Sequence, residues 1–318
     1  MNQRILGRTD IRVSELAFGG VEIGLPYGIG MKSKNDMLPE MEAIHLLHSA
    51  IDSGINFFDT ARMYGTSESI MGRAFKDRRD RVVISTKCRH FHDSEGQLPP
   101  FEKLREIIET SLQESLTTLQ TGFIDIYMLH QAGLEILDNA AVANTFLSLK
   151  KKGVIRATGI STYTLDETKS AIDSGVWDVV QLPFNLMNQS QQIHFSLAAK
   201  SNVGIMVRSV LLKGILSEKG KNLHPELHDV QEHLKRYEEL MSESIPDLPT
   251  LAIKFALSFE QVSSVLVGID RLDYLQKSLA AADGIYLIEK TLARARELRY
   301  PDPQFLDLVK WDKLGWLT

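Results

Sequence analysis

The chain has 318 residues, 43 % hydrophobic and 24 % charged, ordinary globular proportions that argue against extended disorder and allow either two domains or one large α/β barrel. A net charge of −5 without any long basic run argues against a nucleic-acid surface, which needs a stripe of Lys and Arg to displace counterions. No stretch approaches the roughly 18 apolar residues of a membrane helix, the opening "MNQRILGRTDIRVS" lacks a signal-peptide core, and Cys88 is the lone cysteine, so a cytoplasmic protein with small-molecule partners and no membrane or nucleic-acid partner is expected.

In chain order, "QRIL" and "IRVS" flank the turn "GRTD" and predict a β-hairpin within residues 1–14, placed to plug a barrel floor. From residue 15 onward, short β-branched runs alternate with stretches of helical period, the pattern of parallel strands joined by crossover helices. Eight strands are expected: "ELAFGG" (15–20), "INFFDT" (55–60), "VVISTKC" (82–88), "IDIYMLH" (124–130), "IRATGIS" (155–161), "VVQLPFN" (179–185), "GIMVRS" (204–209) and "SVLVGI" (264–269). Between the third and fourth, Leu104, Ile107, Ile108, Leu112, Leu116 and Leu119 recur at three- and four-residue steps and form one apolar helix stripe. The phrase "AIDSG" occurs at 50–54 and 171–175, where Gly54 and Gly175 mark two equivalent helix-to-strand junctions. Repeated βα units without a linker-like break predict a single (β/α)8 TIM barrel over residues 1–318. An irregular loop insertion at 210–248 and a C-terminal tail at 283–318 are each long enough to cover a mouth.

In such a barrel, chemistry belongs to residues at the carboxyl ends of the strands. Asp59, Lys87, His130 and Ser161 end strands two to five, Gln181 and Asn185 lie on strand six, and Arg208 and Ser209 end strand seven, so all are expected around one cavity. Singly, Asp59 reads as a helix cap, Lys87 as a surface residue and His130 as a core histidine; together, three successive apolar strands ending in charged or titratable groups point to a site. Tyr64 lies five positions past Asp59. A phenol with an ordinary pKa near 10 needs a neighbouring cation to exchange protons near neutrality, and a buried ammonium needs a carboxylate to stay charged. Asp59 is therefore expected to hold Lys87, Lys87 to tune Tyr64, Tyr64 to move a proton, and His130 to polarise a carbonyl oxygen. With no nucleophile–base pair or metal set in view, such a site requires a hydride source.

The motifs "LGRTDIRVSELAFGG", "GINFFDTARMYG", "VVISTK", "TGFIDIYMLH", "GVIRATGIS", "VVQLPFNLMN", "RSVLLKGIL" and "VLVGIDRLDYLQKSL" resemble the aldo-keto reductases, single-barrel oxidoreductases that use a nicotinamide cofactor. The resemblance implies that Asp59, Tyr64, Lys87 and His130 are the catalytic tetrad, with Tyr64 as general acid/base. It further implies that Ser161 and Gln181 hold the carboxamide of the nicotinamide, that Ser209, Leu211, Lys213 and Gly214 wrap the pyrophosphate, and that Gly20 admits the cofactor to the first strand's end. Thr162 replaces a familiar asparagine, and Arg208 stands where many relatives stack an aromatic ring. Gly268, Asp270, Arg271, Tyr274 and Ser278 fall in the adenosine region. Asp270 would accept from a ribose 2′-hydroxyl and favour NAD, whereas the adjacent Arg271 would favour NADP. The lean is to NAD.

Tyr27, Met63, Phe91 and His92 are expected near the substrate. The pairs His90/His92 and His224/His228 lack a third ligand, so no metal is expected. Trp311 and Trp316 read as tail residues that cover the cavity or meet another subunit, and the "FGGVEIG" glycines do not match a dinucleotide fingerprint. The expected activity is hydride transfer between NAD(P) and a small carbonyl or alcohol, with an aldose or related sugar as the expected substrate. The alternatives are reduction of a non-sugar aldehyde or ketone, a nucleotide-binding regulatory subunit with little turnover, and a phosphate-binding barrel isomerase.

Overall fold

A computed structural model describes residues 1–31, 33–92, 95–130 and 133–317. Two short strands, β1 (Gln3–Ile5) and β2 (Arg12–Ser14), pair antiparallel with Gln3 opposite Ser14. Eight parallel strands then close a barrel: β3 (Leu16–Gly19), β4 (Phe57–Asp59), β5 (Val83–Lys87), β6 (Ile124–Leu129), β7 (Ile155–Ser161), β8 (Val179–Pro183), β9 (Gly204–Arg208) and β10 (Val262–Gly268). Closure runs through β10 against β3, with Val265 opposite Leu16 and Gly268 opposite Gly19. The fold is the (β/α)8 TIM barrel with an N-terminal hairpin, as the strand pattern predicts.

Two-residue alternation explains why this barrel has an apolar floor and a polar mouth. Ala17, Phe57, Val83, Ile126, Met128, Ala157, Val179, Met206 and Leu266 form one buried cluster with Leu6, Ile11 and Val13 of the hairpin. Two or four residues further along the same strand faces come Gly19, Asp59, Lys87, His130, Ser161, Gln181, Arg208 and Gly268. The outward residues, among them Phe18, Phe58, Ile84, Tyr127, Ile160 and Val207, join the helices in the second core. The helix Phe101–Thr118 carries the predicted stripe: Leu104, Ile108, Leu112 and Leu119 are buried, and Ile107 and Leu116 are packed at the margin.

The hairpin is clamped to the floor by two arginines. Arg4 donates to the carbonyls of Leu257, Phe259 and Val262, and Arg8 to those of Gly175 and Trp177 and to Asp178. At Gly7 the hairpin backbone touches the start of β9 so closely that a Cβ would lie 2.2 Å from the Gly204 amide nitrogen.

The segment 210–248 differs from the expected irregular loop. It is mostly helical, with short turns at Leu212–Gly214, Glu218–Lys221 and Pro225–Leu227, then the helix His228–Lys235 and a further turn at Arg236–Leu240. The tail adds helices Glu289–Glu297 and Leu308–Lys313 and packs on that segment. A ring nitrogen of His233 and the hydroxyl of Tyr237 both meet the Leu298 carbonyl, and Lys213 pairs with Asp312 at 2.8 Å. Trp311 is buried within the tail and Trp316 stacks on His224, so both tryptophans serve this packing. Among the described residues, no helix is long and apolar enough to cross a membrane.

Gly7 and Gly153 both have positive φ, 56° and 73°, but only Gly7 has neighbours in the way of a side chain. Gly153→Ala is expected to cost about 1–2 kcal/mol for the left-handed backbone alone, and Gly7→Ala clearly more because backbone meets backbone. Urea denaturation of the two variants checks this, and equal losses would refute the close-approach explanation.

Candidate active site

At the mouth of the barrel, Asp59 and Lys87 project inward from adjacent strands, and Lys87 Nζ lies 2.6 Å from Asp59 Oδ2. Lys87 is wholly buried and also donates to the Thr60 carbonyl at 3.0 Å. From across the barrel, Gln181 Nε2 donates to Asp59 Oδ1 at 3.0 Å. The carboxylate thus has one partner on each oxygen. Burial pushes the Lys87 ammonium below its usual pKa, and Asp59 opposes that shift through charge and hydrogen bond.

Tyr64 stands in the loop between β4 and the helix Ser67–Phe75, half-buried. Lys87 Nζ lies 4.9 Å from the centre of its ring, and the His130 ring meets it edge-on at 5.6 Å between centroids. Here the structure departs from the expected tuning. Among the described residues no hydrogen bond joins the Tyr64 hydroxyl to Lys87, and burial, followed by the negative charge of Asp59, raises the phenol well above its ordinary pKa. The ammonium sits against the ring, and burial and the Asp59 carboxylate keep the phenol protonated.

His130 directly follows β6 and is buried. Burial, then the Lys87 charge, then His90 and Arg208 hold its imidazole well below the usual value, so it is neutral near pH 7. Its Nδ1 is buried without a partner among the described residues. The His90 ring lies 4.4 Å away, edge-on.

Ser161 is buried at the end of β7. Thr162 is not turned to the mouth: its hydroxyl pairs with that of Thr168 at 2.7 Å and ties strand to helix. Asn185, expected in the cavity, is consumed by a turn, accepting from the Met187 and Asn188 amides and donating to the Ser209 carbonyl. Arg208 reaches across to the Thr162 carbonyl at 3.1 Å, and its guanidinium lies 4.3 Å from the centre of the Tyr163 ring. Beyond β9 the backbone is left-handed at Ser209, Leu212, Lys213 and Gly214. The amides of Val210 and Leu211 make no hydrogen bond among the described residues. Such runs of turned amides form anion-binding concavities.

Other expected contacts fall as follows. A Cβ on Gly20 would strike Met71, Ser67 and the Asp59 carbonyl, so protein atoms already fill the space that its missing side chain leaves. Asp270 is half-buried past β10, and Ser278 is buried one helix later. Arg271 is held by both oxygens of Asp273, at 3.0 and 3.1 Å, and lies over Tyr274. Tyr27 lies near Glu22, Tyr64 and Arg208, with Lys213 Nζ 4.8 Å from its ring centre. Met63 is exposed, Phe91 is buried in the core, and His92 approaches Glu135 at 3.9 Å. The Cys88 thiol is buried and pushed up to about 12, which leaves it a packing residue. Among the described residues no group of three or more His, Cys, Asp or Glu could hold a metal.

Three residues at the site escape the sequence pattern: Glu22, Tyr163 and His90. Glu22 lies inside the glycine-rich "FGGVEIG", where an acid immediately after a strand end was a usable signal. His90 belongs to the His90/His92 pair, set aside for want of a third metal ligand, and Tyr163 carries no such mark.

Four histidines, His90, His130, His194 and His233, are held below their ordinary 6.5 mainly by burial. The unfolded chain therefore binds more protons as pH falls through 6.5 toward the folded-state values, and stability present above that point is lost. The urea midpoint should be lower at pH 5.5 than at 7.5, with a smaller loss in His130→Asn. An unchanged midpoint would contradict the neutral burial of these rings.

The Aldo/keto reductase family model matches residues 15–299. An "Uncharacterized oxidoreductase YqkF" of Bacillus subtilis is 28 % identical over 304 residues, covering 92 % of this chain and 94 % of its own length. An L-galactose dehydrogenase of Arabidopsis thaliana is 27 % identical, covering 94 % of each chain. The holo form of aldo-keto reductase AKR11C1 from Bacillus halodurans superposes with a TM-score of 0.79 at 25 % identity, over 96 % of this chain and 99 % of that one. Members of this family use nicotinamide cofactors, and with the model matched across nearly the whole barrel, the chain belongs to the aldo/keto reductase family of oxidoreductases.

Proposed function

We propose that this chain reduces a small carbonyl compound, or oxidises the corresponding alcohol, with a nicotinamide dinucleotide as redox partner and an aldose or related sugar as the substrate class. The observation that carries the proposal is the meeting of Asp59, Lys87, Tyr64 and His130, drawn from three strand ends and one loop, at one mouth. When bound, the dinucleotide supplies or accepts the hydride.

The chain's own residues do the rest. Tyr64 gives its proton to the carbonyl oxygen in reduction and recovers one from the hydroxyl in oxidation. His130, neutral and short of one partner, hydrogen-bonds the same oxygen as charge develops there. Asp59 keeps Lys87 charged against the Tyr64 ring. Gln181 spends its amide nitrogen on Asp59, and its carbonyl, with Ser161, remains for the carboxamide of the nicotinamide. The amides of Val210 and Leu211, without partners among the described residues, together with Ser209, Lys213 and Gly214 suit a pyrophosphate. Asp270 with Gly268, Tyr274 and Ser278 suits the adenosine, and because Asp273 already engages Arg271, NAD is preferred over NADP.

The sugar class draws support from the relative named an L-galactose dehydrogenase. Reduction of a non-sugar aldehyde or ketone is the second reading, supported by a relative named an NADH-specific methylglyoxal reductase (Escherichia coli, 27 % identical over 309 residues). Absorbance at 340 nm with each cofactor and a panel of aldoses, aldehydes and ketones separates the two. Tyr64→Phe should lower turnover roughly 10²–10⁴-fold with little change in dinucleotide affinity. Tight dinucleotide binding without turnover of any compound would favour a regulatory subunit, and a strong NADP preference would show that Arg271 leaves Asp273 to face the ribose.

A further inference from the structure

Just after β3 the chain reads Gly20, Val21, Glu22, and the Glu22 side chain turns against the end of β10. A Cβ on Gly268 would lie 1.9 Å from Glu22 Oε1, so only glycine at 268 admits the carboxyl group. The second oxygen, Oε2, is buried and has no partner among the described residues. A buried carboxyl oxygen left in that state costs free energy until a proton or a ligand completes it.

The groups facing it come from every surrounding wall: Asp270 past β10, Lys219 of the turn Glu218–Lys221, Asp59 at the end of β4, and the phenols of Tyr27 and Tyr64. The cation among them is directed elsewhere. Lys219 Nζ donates to the Ile29 carbonyl at 3.1 Å, and its stem runs along Gly214, 3.4 Å from where a Cβ there would be. Glu22 therefore shares its surroundings with Asp59 of the reaction centre, with Asp270, and with Lys219, whose stem borders Gly214, and among the described residues no cation bonds its carboxyl group.

We propose that Glu22 is a binding residue of the dinucleotide site and works as a neutral acid, donating a hydrogen bond from its carboxyl group to a phosphate oxygen of the dinucleotide. This rests on the nicotinamide reading above. As a carboxylate, Glu22 would add a third negative charge beside Asp270 and Asp59 and repel a phosphate. As an acid it becomes the donor that a phosphate oxygen needs. Burial holds its pKa up at about 8 against a hydrogen bond from its own backbone amide, with Asp270 and Asp59 acting in the same direction as burial and Lys219 against them, so the acid form is present at neutral pH. The sign follows. Below pH 8 the proton is already in place and affinity is level; above it, binding must take a proton from solvent, and affinity falls.

The test is calorimetric titration of the full-length chain with NADH and with ADP-ribose from pH 6.5 to 9.5, in two buffers of different ionisation enthalpy so that proton uptake is counted directly. Wild-type Kd should rise about tenfold between pH 7 and 9, with uptake approaching one proton per dinucleotide. Glu22→Gln, which keeps a donor, should bind at all pH values without that rise. Glu22→Leu, which removes both charge and donor, should bind more weakly at pH 7 and be equally level. A level wild-type profile, the same slope in both variants, or a wild-type affinity that tightens with pH would each overturn the proposal; the last would mean a carboxylate accepting from a ribose hydroxyl. If neither ligand binds any of the three proteins at any pH, the nicotinamide reading itself fails.

Discussion

An ammonium group with no solvent around it stays charged only if a carboxylate meets it, and the ion pair between Lys87 and Asp59 is the point on which the mouth of this barrel is organised. The pair links β4 to β5 by side chains, beside the backbone bonds that Thr60 and Arg62 donate to the Ser85 and Lys87 carbonyls. Gln181 then ties the same carboxylate to β8 on the far wall. Three strands are thereby referenced to one carboxylate, and the ring of Tyr64 lies against the cation that it holds. Positive charge at Lys87 and Arg208 adds to burial in keeping His130 neutral, and the Asp59 carboxylate adds to burial in keeping Tyr64 protonated.

That arrangement is possible because the barrel separates packing from chemistry along each strand. The first inward residue of a strand is apolar and rests on the hairpin; the next inward residues are polar and face the mouth. Arg4 and Arg8, donating to backbone carbonyls beneath, hold the plug in place. A polar layer with charged members is tolerable only above such a sealed floor, since water entering from below would weaken the interactions that hold Lys87 charged. The segment 210–248 and the tail complete one side of the mouth, joined to it through Lys213, Asp312 and the carbonyl that Ile29 reaches.

Much of this was legible in the sequence. Eight short apolar runs, six of them with polar residues at or near the carboxyl end, predict both the barrel and the meeting of Asp59, Lys87 and His130, because closed topology leaves those residues nowhere else to go. The direction of the electrostatic effect on Tyr64 was not legible. It follows from burial of the phenol and the nearness of Asp59, with Lys87 against the ring and not bonded to the hydroxyl, an arrangement that spacing along the chain does not encode. Asn185 was misread for a related reason: it is held by a neighbour distant in sequence, the Ser209 carbonyl, and by the turn it caps at Met187 and Asn188. The helical nature of 210–248 was hidden because its turns are short and satisfied by the tail, a partner some sixty residues away.

The most direct test of the Lys87–Asp59 pair as the organising contact is a double-mutant cycle with Asp59→Asn, Lys87→Met and both together, followed by urea denaturation at pH 7. Each single change should cost about 3–5 kcal/mol because it strands a buried partner, and the double variant should cost clearly less than their sum. Costs that simply add would show that the two groups do not depend on one another, and the account of the site built on them would be wrong.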